Sequence, residues 1–423
     1  METKNNTKLR DYEIPVFSDY KLDARKKISS DSDTDIYCGI KNDTEEKVVF
    51  KLKNIDSKDS NYILKEGNKY LKLKGIKRIP KIYSFGSQGK YMILVIELLG
   101  PSLKMLLEYV GGKFTLGTTL KIGIQVLDII KEIHQKGMVL RYLKPGNIVI
   151  GLGENKEYIY LIDFEIAKKY IKKGKHILYK ENKNVKGNRI FISVNTHCGK
   201  EISRRDDIEC LGYNLIYLMK GKLPWTHCKR NHEIKEEKMN ISLDELCEGL
   251  PDEFKELIKY SKGLKFTQKP DYKYLHELLK QVAEKNGIDI DKVKYDWVIK
   301  KEEEKKEKEQ KKEAKNENEE KDKVKLEKEE DLNAKEDKEE TKGREKQNDI
   351  GEKREESELV KEKEMDEKKE EETKENENLI QKTENRGKTN GKQKEEKEEK
   401  EEKEEEKEIR QNDKETDSEP PLI

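Results

Sequence analysis

The chain has 423 residues, of which 43% are charged and 32% hydrophobic, with a formal net charge of +1. Such a balance of charge gives no support to a role in which the whole chain binds a polyanion. The five cysteines are scattered without a CxxC pair, which indicates a reducing compartment, cytoplasmic or nuclear, rather than a disulfide framework or zinc site. No apolar run approaches the roughly 20 residues of a membrane span, and the first ten residues lack the apolar core of a secretory signal.

The composition divides the chain into three parts. Residues 1–16 are predicted to be an N-terminal extension, and residues 17–298, which contain both tryptophans, a folded domain. Residues 299–423 consist almost entirely of Glu, Lys, Asp, Asn and Gln, so they cannot bury enough apolar surface to offset the entropy of ordering. This tail is predicted to be disordered, or a solvated single helix supported by i,i+4 Glu–Lys pairs. It is either an interaction tether or a low-complexity extension, and both interpretations stay open.

The first part of the folded region is predicted to be rich in strands. Alternating or β-branched runs separated by Asn-, Asp- and Glu-rich turns indicate strands, and apolar residues at helical spacing indicate a helix. The predicted elements are strands at YKLDARKKI (20–28), TDIYCGI (34–40) and KVVFKLKN (47–54), a helix at NYILKEGNKYLKLKG (61–75), and two strands within YSFGSQGKYMILVIELLG (83–100) that join at residues 87–89.

From residue 102 onwards the pattern becomes helical. The segment 115–137 has an apolar stripe through Leu120, Ile124, Leu127 and Ile130 and ends on Gly137, as a helix with a glycine cap does. The sequence therefore predicts an α+β fold of two lobes: a small β-rich N-lobe at about 17–99 and a larger α-helical C-lobe at about 103–298.

Three longer segments identify a family. LVIELLGPSL (94–103), YLIDFEIAKKY (160–170) and SVNTHCGKEISRRDDIECLGY (193–213) resemble the hinge, the metal-binding segment and the large-lobe motif of the casein kinase I family of eukaryotic protein kinases. The resemblance covers about residues 17–298. It implies the bilobal protein kinase fold, ATP and Mg²⁺ as cofactors, and transfer of a phosphoryl group to serine or threonine of a protein substrate.

The resemblance assigns the residues on the nucleotide side of the cleft. Glu97 and Leu99 lie in the hinge segment, where the adenine of ATP would bind. Lys51, at the end of KVVFK, matches the strand lysine that contacts the α- and β-phosphates, and Glu66 in the following helix matches its ion-pair partner. A Lys–Glu pair between a strand and a helix also braces a lobe by itself, so both interpretations stand.

The phosphate-binding loop departs from the family. Where the family has Gly-x-Gly-x-x-Gly, this chain has Ser29, Asp31 and Thr34. Glycines allow backbone N–H groups to approach the phosphates closely, and side chains obstruct that approach. Asp31 either repels the phosphates, by roughly 3 kcal/mol per charge pair at about 5 Å, or points into solvent. ATP binding is therefore expected to be weak or absent.

The catalytic loop departs further. The family pattern His-Arg-Asp-x-Lys-Pro-x-Asn is LRYLKPGN here, so Tyr142 occupies the position of the catalytic Asp. A phenol is protonated at neutral pH and cannot accept a proton as a carboxylate does. Lys144 and Asn147 match the phosphate-contacting lysine and the metal-binding asparagine, although both also fit a purely structural role in the loop.

The metal-binding segment is partly preserved. Asp163 matches the metal-binding Asp of Asp-Phe-Gly, while Glu165 replaces the glycine. With Asn147, Asp163 could supply oxygen ligands for Mg²⁺. Glu165 is either an additional ligand or a partner of Lys51 in an empty pocket, and the second arrangement favours a locked, nucleotide-free state. Asp207, in the large-lobe motif, is predicted to order the catalytic loop rather than to perform chemistry.

The substrate side has changed as well. In KNVKGNRIFIS, Asn188 and Ile190 stand where the family has a threonine that supports the catalytic Asp and an arginine that binds an anion, and Arg189 lies between them. The family's preference for acidic or phosphorylated substrates is therefore not expected here.

Together these changes predict a pseudokinase that binds or scaffolds protein partners. The alternative is an active serine/threonine kinase of casein kinase I type, with protein substrates. In a third hypothesis the domain only anchors the tail to a microtubule, membrane surface or nucleic acid, but the mixed charge of the tail argues against direct binding of nucleic acid or membrane.

Overall fold

A computed structural model of the chain describes residues 17–30, 34–57, 60–313 and 315–316. The predicted extension at 1–16 and the tail beyond residue 316 therefore lie outside the described residues. Within them, the predicted two-lobed α+β architecture is confirmed. No helix in these ranges has both the length and the apolar character needed to cross a lipid bilayer.

The N-lobe is built on one antiparallel sheet. Its strands are β1 (Tyr20–Ser30), β2 (Thr34–Lys41), β3 (Lys47–Asn54), β4 (Ile82–Gln88) and β5 (Tyr91–Glu97), in the spatial order β1-β2-β3-β5-β4. Helix α1 (Tyr62–Leu73) connects β3 to β4. On β3, Val48, Phe50 and Leu52 are buried in the outer N-lobe core. Because side chains alternate along a strand, Lys51 projects from the opposite face, towards the cleft.

The C-lobe is mostly helical. Its helices are α2 (Leu103–Tyr109), α3 (Leu116–Gln135), α4 (Val194–His197), α5 (Arg204–Lys220), α6 (Asn231–Asn240), α7 (Leu243–Leu246), α8 (Asp252–Gly263) and α9 (Tyr272–Lys285). Short antiparallel pairs lie between α3 and α4: β6 (Met138–Val139) with β9 (Lys168–Lys169), β7 (Ile148–Ile150) with β8 (Ile159–Leu161), and β10 (Ile171–Lys172) with β11 (Lys175–His176).

Helix α3 is the centre of the C-lobe core. Of the predicted stripe, Leu120, Leu127 and Ile130 are buried and Ile124 is partly buried, and residues on the other faces are buried as well, including Ile122 and Val126. The reason is that α5, α9 and β8 all pack against it, so burial extends well beyond one stripe. The helix is capped by Lys136, and Gly137 follows with a φ of 73°, the left-handed conformation that glycine adopts without strain.

A tenth helix, α10, begins at residue 296 and is described through residue 313. The carboxylate of Asp296 accepts hydrogen bonds from the backbone N–H and the hydroxyl of Thr115, both at 2.7 Å. The ammonium of Lys300 donates to the carbonyl of Tyr109 at 2.6 Å. The first turns of α10 are therefore attached to the C-lobe. Of the two forms predicted for the charged tail, disordered chain and single helix, its described start is a helix.

Candidate functional site

The cleft between the lobes contains a cluster of charges around Lys51. Its ammonium lies 2.7 Å from the carboxylate of Glu66, 3.6 Å from that of Asp163 and 3.9 Å from that of Glu165. The predicted partner on α1 is thus in contact with Lys51. Glu165 lies beside Lys51, as one of its two predicted arrangements requires.

The electrostatics of this cluster favour a charged Lys51. Burial alone lowers the pKa of its ammonium, but the carboxylates of Glu66 and Asp163 outweigh burial, so the pKa of Lys51 lies above its ordinary value. Only 15% of its side chain is exposed. Lys51 is therefore a permanently charged group that already has anionic partners.

Helix α1 supplies two further contacts that the sequence analysis did not identify. The ammonium of Lys69 donates a hydrogen bond to the backbone carbonyl of Glu165, and burial lowers the pKa of Lys69 to about 8. The ring of Tyr70 packs edge-on against Phe164, with centroids 5.0 Å apart. Lys69 and Tyr70 follow Glu66 by three and four residues, and this helical spacing, which puts them on the same face of α1, could have indicated both.

The two predicted metal ligands are adjacent. The side-chain amide of Asn147 donates to a carboxylate oxygen of Asp163 at 3.5 Å. The other carboxylate oxygen is buried and accepts no hydrogen bond from any described residue, and it faces the ammonium of Lys51 at 3.6 Å. Asp163 has a φ of 64°, a left-handed backbone conformation, and its carboxylate faces Lys51. Asn147 and Asp163 thus fit a Mg²⁺ ion, and their role stays a prediction.

The role of Glu165 as an additional metal ligand stays a prediction. Among the described residues, no group of three or more His, Cys, Asp and Glu side chains is arranged to hold a metal ion. Lys51 lies among Glu66, Asp163 and Glu165, where it takes up the negative charge that an ion would otherwise neutralise.

The catalytic loop brings Tyr142 and Lys144 together. The ammonium of Lys144 donates to the phenol oxygen of Tyr142 at 3.0 Å and lies 4.4 Å from the centroid of the ring. The side-chain amide of Asn147 donates to the backbone carbonyl of Tyr142 at 3.0 Å. The lysine that the resemblance assigns to a phosphate is therefore bound to the residue that replaces the catalytic Asp.

The backbone of this loop is held by Asp207 of α5. Its carboxylate accepts hydrogen bonds from the backbone N–H groups of Leu140 and Arg141, at 2.7 and 2.9 Å. It also lies 2.8 Å from a ring nitrogen of His134. Asp207 is 1% exposed, so water cannot replace these contacts. This geometry fits the structural role predicted for Asp207.

The hinge residues differ in what they contact. The carboxylate of Glu97 accepts a hydrogen bond from the backbone N–H of Lys81 at 3.0 Å. The backbone of Leu99, in contrast, makes no hydrogen bond with any described residue, which leaves a donor and an acceptor for a ligand in the cleft.

The phosphate-loop residues are only partly described. Ser29 lies in β1 opposite Ile36, and Thr34 begins β2 opposite Lys53. Strand β1 contains register shifts between Leu22 and Ser29. Asp31 lies outside the described residues, so its predicted effect on phosphates stays a prediction.

The substrate-side segment is anchored by a buried lysine on α6. The ammonium of Lys238 donates to the carbonyls of Arg189 and Ile192, at 3.0 and 2.7 Å. It also lies about 5 Å from the ring centroids of Tyr213 and Trp225. Lys238 has no exposed surface, and burial lowers its pKa to about 7.

A family model described as the protein kinase domain matches residues 24–286. The match begins in β1 and ends just after α9, and so includes the cleft, the catalytic loop and the substrate-side segment.

Proposed function

The chain belongs to the protein kinase family, and we propose that its domain is a casein kinase I-like pseudokinase that binds or scaffolds protein partners. One observation carries the proposal: Tyr142 stands where the resemblance requires the catalytic carboxylate, and its hydroxyl accepts a hydrogen bond from Lys144.

The chemistry at Tyr142 argues against phosphoryl transfer. A positioned base contributes on the order of 10²–10⁴ to the rate of a reaction, and a phenol that already accepts a hydrogen bond from an ammonium group is a poor base. The same contact draws Lys144 away from a transferring phosphate. Since kinase catalysis depends on positioning and electrostatics, the replacement of the catalytic Asp and the contact that holds Lys144 at Tyr142 both impair the reaction.

The cofactor, partner and compartment follow from this proposal. ATP and Mg²⁺ bind weakly or not at all, because Ser29 and Thr34 replace glycines of the phosphate loop and the carboxylate of Glu165 lies 3.9 Å from the ammonium of Lys51. The partner is a protein rather than a nucleic acid or a membrane, in keeping with the mixed charge of the chain. The five cysteines are free, which supports a cytoplasmic or nuclear location.

A second candidate function is an active serine/threonine kinase of casein kinase I type. It is favoured by the contact between Lys51 and Glu66 at 2.7 Å and by the adjacent Asn147 and Asp163, which together match the nucleotide side of a working kinase. In this case another carboxylate would replace the base.

A phosphorylation assay separates the two candidates. The full chain is incubated with radiolabelled ATP, Mg²⁺ and a generic protein substrate, with Asp163→Asn as the matched control. The pseudokinase predicts the same background from both proteins. Turnover by the wild type that Asp163→Asn abolishes would overturn the proposal.

A repair experiment tests the diagnosis. Tyr142→Asp combined with Ser29→Gly, Asp31→Gly and Thr34→Gly restores the family's base and phosphate loop. We expect it to produce activity that the wild type lacks. A folded but inactive repaired protein would show that further residues block the reaction.

A further inference from the structure

We propose that the cleft selects an uncharged nucleoside over any nucleotide, and that the carboxylate of Glu165 sets this preference. The proposal rests on the proposed function and specifies the ligand of the same site. Its basis is a contrast between the two ends of the cleft: one offers apolar surface and free backbone groups, and the other an excess of negative charge.

The hinge end suits a flat heterocycle. In the register of the sheet, Val49 lies opposite Cys38 on one side and Ile96 on the other, and all three are partly exposed. Residues opposite each other in an antiparallel sheet project from the same face, and Val49 is two residues from Lys51, so this apolar face borders the cleft. Leu99 adds an N–H and a carbonyl that bond to no described residue.

The other end repels anions. Lys51 contributes one positive charge, while Glu66, Asp163 and Glu165 contribute three carboxylates within 4 Å of it. The ammonium of Lys69, which donates to the backbone carbonyl of Glu165, contributes a second positive charge, so these five groups leave a formal charge of −1. Glu165 is the most exposed of the three, at 33%. Its backbone is fixed by the hydrogen bond from Lys69, so its carboxylate cannot easily withdraw as the main chain moves.

Both lysines that the resemblance assigns to phosphates already contact other side chains, and the carboxylate of Glu165 is the group that the family pattern lacks. Lys51 has its carboxylate partners, and Lys144 is bound to the hydroxyl and lies over the ring of Tyr142. Each phosphate added to a nucleoside therefore brings negative charge to a place that already has an excess of it. A nucleoside has the heterocycle without that charge.

The test measures the affinities of adenosine, AMP, ADP and ATP for the full chain by calorimetry, once with EDTA and once with Mg²⁺. We expect adenosine to bind most tightly and the affinity to fall as phosphates are added, with ATP about tenfold or more weaker than adenosine. Mg²⁺ should reduce the difference without reversing the order, since the ion shields the phosphates but provides no free lysine.

Glu165→Gln identifies the residue responsible. It keeps the shape of the side chain and removes its charge, so we expect ATP to bind about tenfold more tightly while adenosine changes by less than about twofold. Glu154→Gln, at an exposed position outside the cleft, is the matched control and should change neither affinity. Urea denaturation of each variant verifies that it is folded, and Glu165→Gly provides a second substitution should the first fail to fold.

Several results would overturn the proposal. ATP or Mg-ATP binding more tightly than adenosine would contradict the order, and so would a cleft that binds none of the four ligands. An unchanged ratio in both folded Glu165 variants would contradict the role of that residue. The phosphorylation assay is read separately, so an active wild-type enzyme would overturn the pseudokinase without deciding the order of affinities.

Discussion

The catalytic loop is supported from one side and altered on the other. Two of its backbone N–H groups donate hydrogen bonds to the buried carboxylate of Asp207, which also contacts His134. Its cleft side has Tyr142, whose hydroxyl accepts a hydrogen bond from Lys144. The contrast teaches that the shape of such a loop and its chemistry depend on different residues. A chain can change the residues that perform the chemistry and keep the residues that hold the shape, because the stability of the fold depends mainly on the latter.

Removing the support should have the largest effect. Asp207→Ala leaves two backbone N–H groups and an imidazole without their partner, in a place that water does not reach. We expect a loss of about 3–5 kcal/mol in the free energy of unfolding, measured by urea denaturation. Asp252→Ala, whose side chain is 88% exposed, is the control. A loss below about 1 kcal/mol for Asp207→Ala would mean that other contacts hold the loop.

Breaking the ion pair between Lys51 and Glu66 should have the next largest effect on stability. Lys51→Met leaves Glu66, 2% exposed, without its nearest cation, and we expect a loss of about 2–4 kcal/mol in the free energy of unfolding. Combining it with Glu66→Leu should destabilise the protein less than the sum of the two single changes, because no buried charge is then left unpaired. A double-mutant cycle in urea measures this, and additive losses would contradict the coupling.

The contribution of Lys238 to the stability of the protein should depend on pH. The pKa of Lys238 is lowered by burial to about 7, from 10.5 for an ordinary lysine. Between these values the unfolded chain binds a proton that the folded protein does not, so Lys238 makes stability rise with pH above about 7. The expected slope is up to about 1.4 kcal/mol per pH unit.

Lys238→Met tests this expectation. It should remove that rise between pH 7 and 9, measured as urea denaturation at three pH values. The neighbouring His197, whose pKa burial lowers to about 3, is neutral throughout this range and does not contribute. Parallel pH profiles for the wild type and Lys238→Met would show that Lys238 keeps its proton in the folded state.

Changes on the altered side of the loop should have the smallest effect on the free energy of unfolding. Tyr142→Phe removes only the hydroxyl that accepts from Lys144, at a partly exposed position, so we expect a change within about 1 kcal/mol in the free energy of unfolding. The measurement is the same urea denaturation. A loss above about 2 kcal/mol would mean that Tyr142 supports the loop, and the contrast with Asp207 would no longer hold.

The N-lobe could be predicted from the sequence because its signals are local. The alternation in KVVFKLKN defines β3 and the face from which Lys51 projects, and the helical spacing in α1 directs Glu66 towards it. The contacts of Lys51, Glu66 and Asp163 follow from these two patterns together with the family resemblance.

Other contacts could not be predicted because they join distant parts of the chain. Lys238 is 46 and 49 residues from the two carbonyls that it contacts, and lysine is among the residues least often buried. The spacing from Glu66 places Lys69 on the cleft face of α1, but its partner, Glu165, is 96 residues away. The composition changes near residue 299, but α10 continues through that point, because Asp296 attaches its first turn and the Glu–Lys pairs that follow are compatible with a helix.

The attachment of α10 to the C-lobe determines how far the described helix extends from the domain. At a rise of about 1.5 Å per residue, the described helix from 296 to 313 spans about 27 Å, and its charged side chains past Lys300 provide no apolar stripe by which it could lie against a surface. The far end of the described helix, at residue 313, therefore lies well away from Tyr109 of α2, where its first turns are attached. A pair of fluorophores on α2 and at residue 313 would measure that spacing, and a single narrow distance distribution would show that this helix is stiff.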